Sequence, residues 1–182
     1  MAYKVTLTFL VEAARDLLEE EGPGGLTMRR LAERLGIQAP SLYKHLPDKL
    51  ELEARLAGLA LEEVAQALAG AGDLEELARA YRRYALAHPH LYRLTTERPL
   101  PRDRLPEGLE ARAAAPILAA AGSSDRARAA WAFAHGMVQL ELAGRFPPDA
   151  DLDAAWDAGI AAFTRVTSPT PKAIVRSVRG PD

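Results

Sequence analysis

Apolar residues recur at three- and four-residue intervals along most of this chain, and glycine or proline clusters interrupt the pattern. In the stretch from Leu7 to Leu18, charged residues fall between the apolar ones, which predicts an amphipathic helix. Interruptions at 22–25, 99–106 and 147–148 are predicted to end helices, because proline lacks the backbone N–H and glycine favours turns. The sequence therefore predicts an all-α protein.

The segment 26–50 has the spacing of two short helices joined by a tight turn. Leu31 and Leu35 fall on one side of a first helix that Thr27 can cap. Gly36 can end this helix because a glycine takes the left-handed conformation without a Cβ clash. The chain can then turn sharply into a second helix.

The second helix is predicted to present a polar face outward. Pro40 is tolerated in its first turn, and Leu42 and Leu46, four residues apart, form its inward side. The residues left to point elsewhere are polar, basic or aromatic: Gln38, Ser41, Tyr43, Lys44 and His45. Such side chains can donate to phosphates and touch base edges once a helix lies in a major groove, so the segment is predicted to be a DNA-reading helix-turn-helix.

These residues resemble the TetR-type transcriptional regulators. The resemblance rests on Thr27, Leu31-Ala32, Gly36-Ile37 at the turn, and the run 41–45 followed by Asp48-Lys49. It implies a homodimeric, sequence-specific DNA-binding regulator, most simply a repressor that a small molecule releases from a palindromic double-stranded operator.

The chain departs from the family pattern at two positions. Gln38 stands where the family usually has Ser or Thr, which bears on the operator sequence. Leu46 stands where it usually has Phe, a conservative change in the core. The residues expected to contact DNA are Thr27, Arg29, Gln38, Ala39, Ser41, Tyr43, Lys44, His45 and Lys49.

Charge supports DNA binding only locally. The whole chain has 23 basic and 25 acidic residues, a net charge of −2, which is not typical of a general nucleic-acid binder. The segment 27–49 has five basic and two acidic residues, a net charge of +3. The prediction of DNA binding therefore depends more on the spacing of the two helices and on the types of outward side chain than on charge.

The composition excludes several classes of site. The chain has no cysteine, so it forms no disulfide, thiolate nucleophile or zinc–thiolate site. It has no apolar run near the roughly 20 residues that cross a membrane and no signal-peptide pattern, so a cytoplasmic protein without membrane contact is expected.

The second half of the chain is predicted to bind an effector and to dimerise. We expect a helix-turn-helix domain at 1–46, a ligand-binding and dimerisation domain at 47–167, and a flexible tail at 168–182. A long helix opening at Pro47 would join the two domains, with only its first turn on the DNA side. Pro116 is expected to kink or divide a later helix.

The segment 126–145 is apolar on more than one side, which in a chain of this size indicates packing against a second subunit. With the last helix it could form a four-helix bundle with its twofold copies. The residues predicted at this interface are Gly136, Leu140, Gly144, Trp156, Gly159, Ile160 and Phe163.

Trp131 followed by His135-Gly136 resembles a Trp-x-x-x-His-Gly signature of one group of TetR C-terminal domains, as does the run 87–94. A cavity for an apolar or aromatic effector would be lined by Tyr81, Tyr84, Tyr92, Trp131, Phe133, His135 and Gln139. The alternative is that the aromatic residues are simply core and that His135 has a structural hydrogen bond only.

Catalysis and metal binding find little support. His88 and His90 flank Pro89 and could bind a metal, but no carboxylate stands nearby at ligand spacing, so no metal or cofactor is expected. No nucleophile-elbow or phosphate-loop motif is present, which disfavours a small all-α enzyme. A DNA-binding architectural protein without an effector is the other alternative.

Overall fold

The computed structural model describes residues 6–164, and within that range the chain is all-α, as predicted. The elements are α1 (Leu7–Gly25), α2 (Met28–Leu35), α3 (Ala39–Tyr43), α4 (Lys49–Leu68), α5 (Leu74–Ala87), α6 (Pro89–Thr96), a 3-10 turn (Arg102–Arg104), α7 (Leu109–Ala121), α8 (Ser124–Leu142) and α9 (Leu152–Thr164). The predicted tail at 168–182 lies outside the described residues, and so does the end of the second predicted domain.

Short polar side chains fix where the long helices begin. Asp48 accepts a hydrogen bond from the backbone N–H of Glu51 at 2.7 Å, and Asp73 caps α5 in the same way at 2.9 Å. Ser123 caps α8. Each cap satisfies an N–H that has no partner within its helix, so the helix starts are encoded locally.

The predicted stop after the first helix is confirmed at Gly22. Its backbone has φ 71° and ψ −178°, outside the helical region, and Pro23 then begins a final turn that is counted within α1. A Cβ added at Gly22 would lie 3.5 Å from the ring of His90. This position therefore combines a backbone conformation that favours glycine with a close approach from α6.

Of the two outcomes expected at Pro116, a kink or a division of the helix, the division does not occur. The helix α7 runs unbroken from Leu109 to Ala121 with Pro116 inside it. A proline removes one hydrogen bond of the helix, but α7 packs along both α4 and α8, and this tertiary packing keeps the helix in one piece.

Two apolar cores meet along α4. The first core joins α1, α2 and α3 to Leu52, Leu56 and Ala60 of α4 and to Leu91 of α6. The second core joins Leu68 to side chains of α5, α7, α8 and α9. The expectation that only the first turn of α4 belongs to the DNA side is therefore wrong, because about three turns of α4 pack in the first core.

Candidate DNA-binding surface and effector site

The turn between α2 and α3 has the geometry that the sequence predicted. Gly36 adopts φ 63° and ψ 28°, the left-handed conformation. Its N–H donates to the carbonyl of Glu33 at 3.1 Å, and the N–H of Ile37 donates to the carbonyl of Ala32 at 3.1 Å. This pair of bonds is a Schellman motif, which ends α2 and sets the direction in which α3 begins.

Two leucines hold α3 against the first core. Leu42 and Leu46 are 0% exposed, so their side of the segment is fixed. Most of the predicted DNA contacts lie on the opposite, exposed side: Gln38, Ala39, Tyr43, Lys44 and His45. Ser41 is half-buried, and Thr27 is half-buried while its hydroxyl caps α2 by accepting from the N–H of Arg30 at 3.1 Å. None of these predicted residues is packed into the core, so each keeps surface with which it could contact DNA.

Ion pairs within the first domain neutralise part of its positive charge. Arg30 pairs with Glu21 of α1, and Arg34 pairs with Glu20 of α1 at 2.6 Å. The hydrogen bonds from Arg34 lower the pKa of Glu20. Neither carboxylate lies within the segment 27–49, so the local charge of +3 in the sequence overstates the positive charge of this surface.

Three cations remain available at the surface to different degrees. The Arg29 side chain is 85% exposed although it pairs with Glu33 at 3.1 Å. Lys49 pairs loosely with Glu53 at 3.7 Å. Among the described residues Lys44 makes no ion pair, which leaves its ammonium group free for an acceptor outside the chain.

Four of the seven predicted effector residues come together in what we name the tyrosine–histidine cluster: Tyr81, Tyr92, Trp131 and His135. The hydroxyl of Tyr81 donates to that of Tyr92 at 3.1 Å, and the Tyr92 hydroxyl lies 2.6 Å from Nδ1 of His135. Trp131 stacks on His135 with ring centroids 5.8 Å apart, and Trp131 is 50% exposed. The cluster therefore joins α5, α6 and α8 and opens toward the surface at Trp131.

The environment of His135 favours its neutral form. His135 is half-buried, and its Nδ1 contacts the Tyr92 hydroxyl, which can either donate or accept and so suits either neutral tautomer. Burial lowers the pKa of His135, and the charge of Glu97 opposes that effect only in part. A neutral imidazole fits both observations.

Two of the other three predicted effector residues, Tyr84 and Phe133, lie apart from this cluster. The hydroxyl of Tyr84 donates to Glu63 at 3.1 Å, and Phe133 packs against Trp156 with ring centroids 5.7 Å apart. Gln139 is half-buried, one helical turn beyond His135. The structure therefore does not bring Tyr84 and Phe133 to the same place as the tyrosine–histidine cluster.

The predicted dimer residues divide into an exposed and a buried set. Leu140 is 43% exposed, Gly144 is exposed, and a Cβ added at Gly136 would meet no atom within 4 Å. Trp156 and Ile160 are each 4% exposed and pack in the second core of their own chain.

Two further residues of the predicted interface also pack within the chain. The ring of Phe133 lies directly on Gly159, and Phe163 is half-buried against Phe133, with ring centroids 5.9 Å apart. The free surface is thus on α8, and the predicted residues of α9 mostly face inward. Sequence periodicity did not separate the two sets because both are apolar.

The two halves of the chain are joined by contacts that sequence reasoning missed. The carboxylate of Glu19 on α1 accepts hydrogen bonds from the N–H groups of His90 at 3.2 Å and Leu91 at 2.8 Å, at the start of α6. Arg93 on the same helix donates to the carbonyl of Leu142 at 3.0 Å, at the end of α8. No sequence signal marks Glu19, because its partners lie more than 70 positions away.

The histidines at 88 and 90 are engaged in this junction. His88 lies 3.4 Å from the guanidinium of Arg15, and His90 packs beside Gly22. Within residues 6–164 no group of three or more histidine, aspartate or glutamate side chains is arranged to hold a metal ion. In the same range no helix is both long enough and apolar enough to cross a membrane.

A helix-turn-helix with an exposed polar recognition face, followed by a helical domain with its own core, defines a DNA-binding regulator with a separate C-terminal domain. Residues 10–56 match the family described as bacterial regulatory proteins, tetR family. Residues 74–163 match the family described as tetracyclin repressor-like, C-terminal domain. The chain belongs to the TetR family of transcriptional regulators, which are not enzymes.

Similarity to one relative extends over most of the chain, whereas similarity to a tetracycline repressor covers less than a third of it. An HTH-type transcriptional regulator of Mycobacterium tuberculosis, itself uncharacterised, is 34% identical over 170 residues, which cover 84% of this chain and 77% of that protein. The class A tetracycline repressor of Escherichia coli is 52% identical over 54 residues, 30% of this chain and 25% of that protein.

Among solved structures, a regulatory protein designated SCO4313 has a TM-score of 0.73 at 25% identity, covering 87% of this chain and 94% of that one. A single-residue variant of TetR from Acinetobacter baumannii, solved in complex with minocycline, has a TM-score of 0.65 at 27% identity, covering 88% of this chain and 94% of that one.

Proposed function

We propose that this regulator binds a palindromic operator as a homodimer and represses transcription until a small, mainly apolar or aromatic effector releases it. The observation that carries the proposal is α3 with the residues just after it: Leu42 and Leu46 are fully buried, and the exposed residues between them are polar, basic or aromatic. The organisation of the family supports the dimer and the effector.

Within the operator complex, the residues of α3 and its flanks divide into two roles. Base edges would be read by Gln38, Ala39, Ser41 and Lys44, by hydrogen bond or by apolar contact. Phosphates would be held by the groups around them: the half-buried Thr27 and the exposed Arg29, Tyr43, His45 and Lys49. The Thr27 hydroxyl accepts from the backbone as a cap, so its own hydrogen is still available for a phosphate.

The exposed face of α8 supports dimerisation. Leu140 is a large apolar side chain that remains 43% exposed in the protomer, and Gly136, one turn before it on the same side of α8, would let a second helix approach closely. In a twofold dimer the two copies of α3 would meet half-sites about 34–36 Å apart, one turn of DNA.

The tyrosine–histidine cluster supports the chemistry of the effector. Trp131 and His135 present stacked rings, which favour a planar or aromatic compound. Because Nδ1 of His135 is occupied by Tyr92, Nε2 is the ring nitrogen left for the effector. We therefore propose an aromatic effector that carries a polar group able to form a hydrogen bond with Nε2.

A ligand at this cluster would act on the first domain through α6. Tyr92 belongs to α6, and the start of α6 is held by Glu19 of α1. A displacement of Tyr92 would therefore pull on the helix that braces α2. To shift the conformers from 1:99 to 99:1 the effector must bind the released form about 5.5 kcal/mol more tightly than the operator-bound form.

The test is a fluorescence-anisotropy titration with palindromic duplexes taken from the region upstream of its own gene. We expect a discrete operator, and an affinity that falls steeply with salt because phosphate contacts release counterions. An architectural protein would instead bind all duplexes alike, with no release by any compound. The absence of affinity for every such duplex would contradict the proposal.

A further inference from the structure

A cleft lies between α4 and the proline-rich loop 98–106, which we name the strap. The strap runs along α4, and its Leu105 and Pro106 come within 4.0 Å of the position that a Cβ on Gly58 would occupy. The cleft has a volume of about 400 Å³. Small-molecule sites in proteins usually measure about 300–1,000 Å³, so this volume suits a small ligand.

The interior of the strap cleft is apolar. Ala54 and Ala57 of α4, 2% and 3% exposed, form its floor, and Leu94 and Leu100 add to its walls. Leu50 stands at the rim and is 62% exposed, an unusual position for a large apolar side chain. A ligand that covered Leu50 and the alanine floor would remove apolar surface from water.

The rim of the cleft offers unused guanidinium donors. Glu53 is already matched, because it is only 15% exposed and has both Arg98 at 3.0 Å and Lys49 at 3.7 Å. Arg98 is 60% exposed and gives Glu53 a single hydrogen bond. Among the described residues the Arg104 side chain makes no hydrogen bond and three loose ion pairs, to Glu51 at 3.6 Å, Asp48 at 3.8 Å and Asp103 of the strap at 3.9 Å, so its N–H groups are available to a closer acceptor.

We propose that the strap cleft is a second ligand site, which binds a small amphipathic carboxylate with its chain on the alanine floor and its carboxylate between Arg98 and Arg104. Guanidinium groups pair with carboxylates in a planar, bidentate geometry, which favours an anion over an amine here. Glu53 already has two cationic partners, so it offers little to an amine ligand, which also favours an anion.

Such a ligand would also regulate DNA binding, and this part rests on the function proposed above. Arg104 lies 3.8 Å from Asp48, the residue that caps α4 two positions after the buried Leu46. A carboxylate that takes Arg104 away from Asp48 and Glu51 would loosen the hold of the strap on the joint between α3 and α4. We expect operator affinity to fall when the site is filled.

The binding test is isothermal titration calorimetry of the full chain with octanoate, octylamine and 1-octanol. We expect one octanoate per protomer, 1-octanol weaker by about tenfold or more, and no octylamine bound, because charge-assisted hydrogen bonds are lost in both analogues. Arg98→Gln and Arg104→Gln should each weaken octanoate by about tenfold. Leu50→Glu should abolish binding, since it adds a like charge at an exposed position.

Arg102→Gln is the matched control, because Arg102 belongs to the strap but donates both of its hydrogen bonds to Glu110, at 2.8 and 2.7 Å. Thermal melts check that every variant folds. The site assignment is overturned if octanoate does not bind, if octylamine or 1-octanol binds equally well, or if Arg102→Gln loses as much affinity as Arg104→Gln.

The regulatory part is tested by operator anisotropy with and without saturating octanoate. We expect an operator affinity at least about threefold weaker with octanoate, and an unchanged affinity would overturn this part while the site itself stands. If no operator binds even without octanoate, the proposed function fails instead, and the calorimetric result is unaffected. The two proposals can thus fail separately.

Discussion

Replacement of Glu19 by alanine should loosen α6 from α1. The carboxylate accepts two backbone N–H groups, His90 at 3.2 Å and Leu91 at 2.8 Å, at the start of α6. Hydrogen bonds to a charged group contribute about 1.5–3 kcal/mol each, and loss of a helix cap costs about 0.5–2 kcal/mol. Glu19 is half-buried, so water partly replaces the lost bonds, and we expect a net loss of about 2 kcal/mol.

Two measurements report this loss. Thermal denaturation should show a melting temperature lower by about 4–8 °C for a chain of this size. Chemical denaturation should show a midpoint at a lower denaturant concentration. Native-state hydrogen exchange should show the amides of His90 and Leu91 losing protection by about 30-fold, since 1.4 kcal/mol corresponds to a factor of ten. Release from the operator by an effector should weaken in the same variant, because α6 would no longer be tied to α1.

Glu20→Ala is the matched control. Glu20 is the next residue of the same helix, and its side chain is 58% exposed while it pairs with Arg34 at 2.6 Å. Surface ion pairs of this kind contribute little to the free energy of unfolding, so the control should have nearly the same melting temperature as the wild type. If Glu19→Ala and Glu20→Ala behave alike, and the exchange of the two α6 amides is unchanged, then Glu19 does not hold α6 and the route proposed for the effector is refuted.

The remaining predictions concern packing, protonation and DNA. Gly159→Ala should lower the free energy of unfolding by about 1–3 kcal/mol, because the Phe133 ring already fills the space that a Cβ would need. Gly136→Ala should leave the stability of the protomer unchanged and weaken dimerisation, which sedimentation would measure. Burial lowers the pKa of His135, so the unfolded chain binds a proton at this histidine more readily than the folded chain does. The free energy of unfolding should therefore fall as the pH drops below about 6.5. In denaturation curves recorded at several pH values, His135→Gln should show a weaker dependence on pH. Gln38→Ala should relax operator preference, while Tyr43→Phe should weaken all duplexes alike in anisotropy titrations; the opposite pattern would contradict the assigned roles.

The helix-turn-helix was predictable because its signals are local. The Thr27 cap and the left-handed Gly36 act within a few residues, and the structure places both as predicted. Leu42 and Leu46 are both buried as predicted, but α3 ends at Tyr43, so Leu46 lies beyond the helix. The helix breaks at the glycine and proline clusters are likewise placed as predicted. Pro116 is the exception, because packing of α7 on two neighbours overrode a local signal.

The effector cluster was only half predictable. Phe133 lies two residues after Trp131, about 200° around the helix, so the period of the helix already separates them. Tyr81 and Tyr84 differ less, since three residues leave them about 60° apart on one side of α5. Only the position of α6, with Tyr92, and of α4, with Glu63, decides that Tyr81 joins His135 and Tyr84 does not.

The sequence by itself determined the class of fold, the helix boundaries to within a few residues, and the polar face of α3, because each depends on periodicity and on side chains close together in the chain. Tertiary structure alone decided which charged side chains are paired within the protein and which remain available to ligands. Glu20 and Glu21 reach the arginines of α2, and Glu19 reaches α6, only after α1 has packed beside them. The physical reason is that ion pairs and caps between distant segments depend on the relative placement of helices, which no local pattern records.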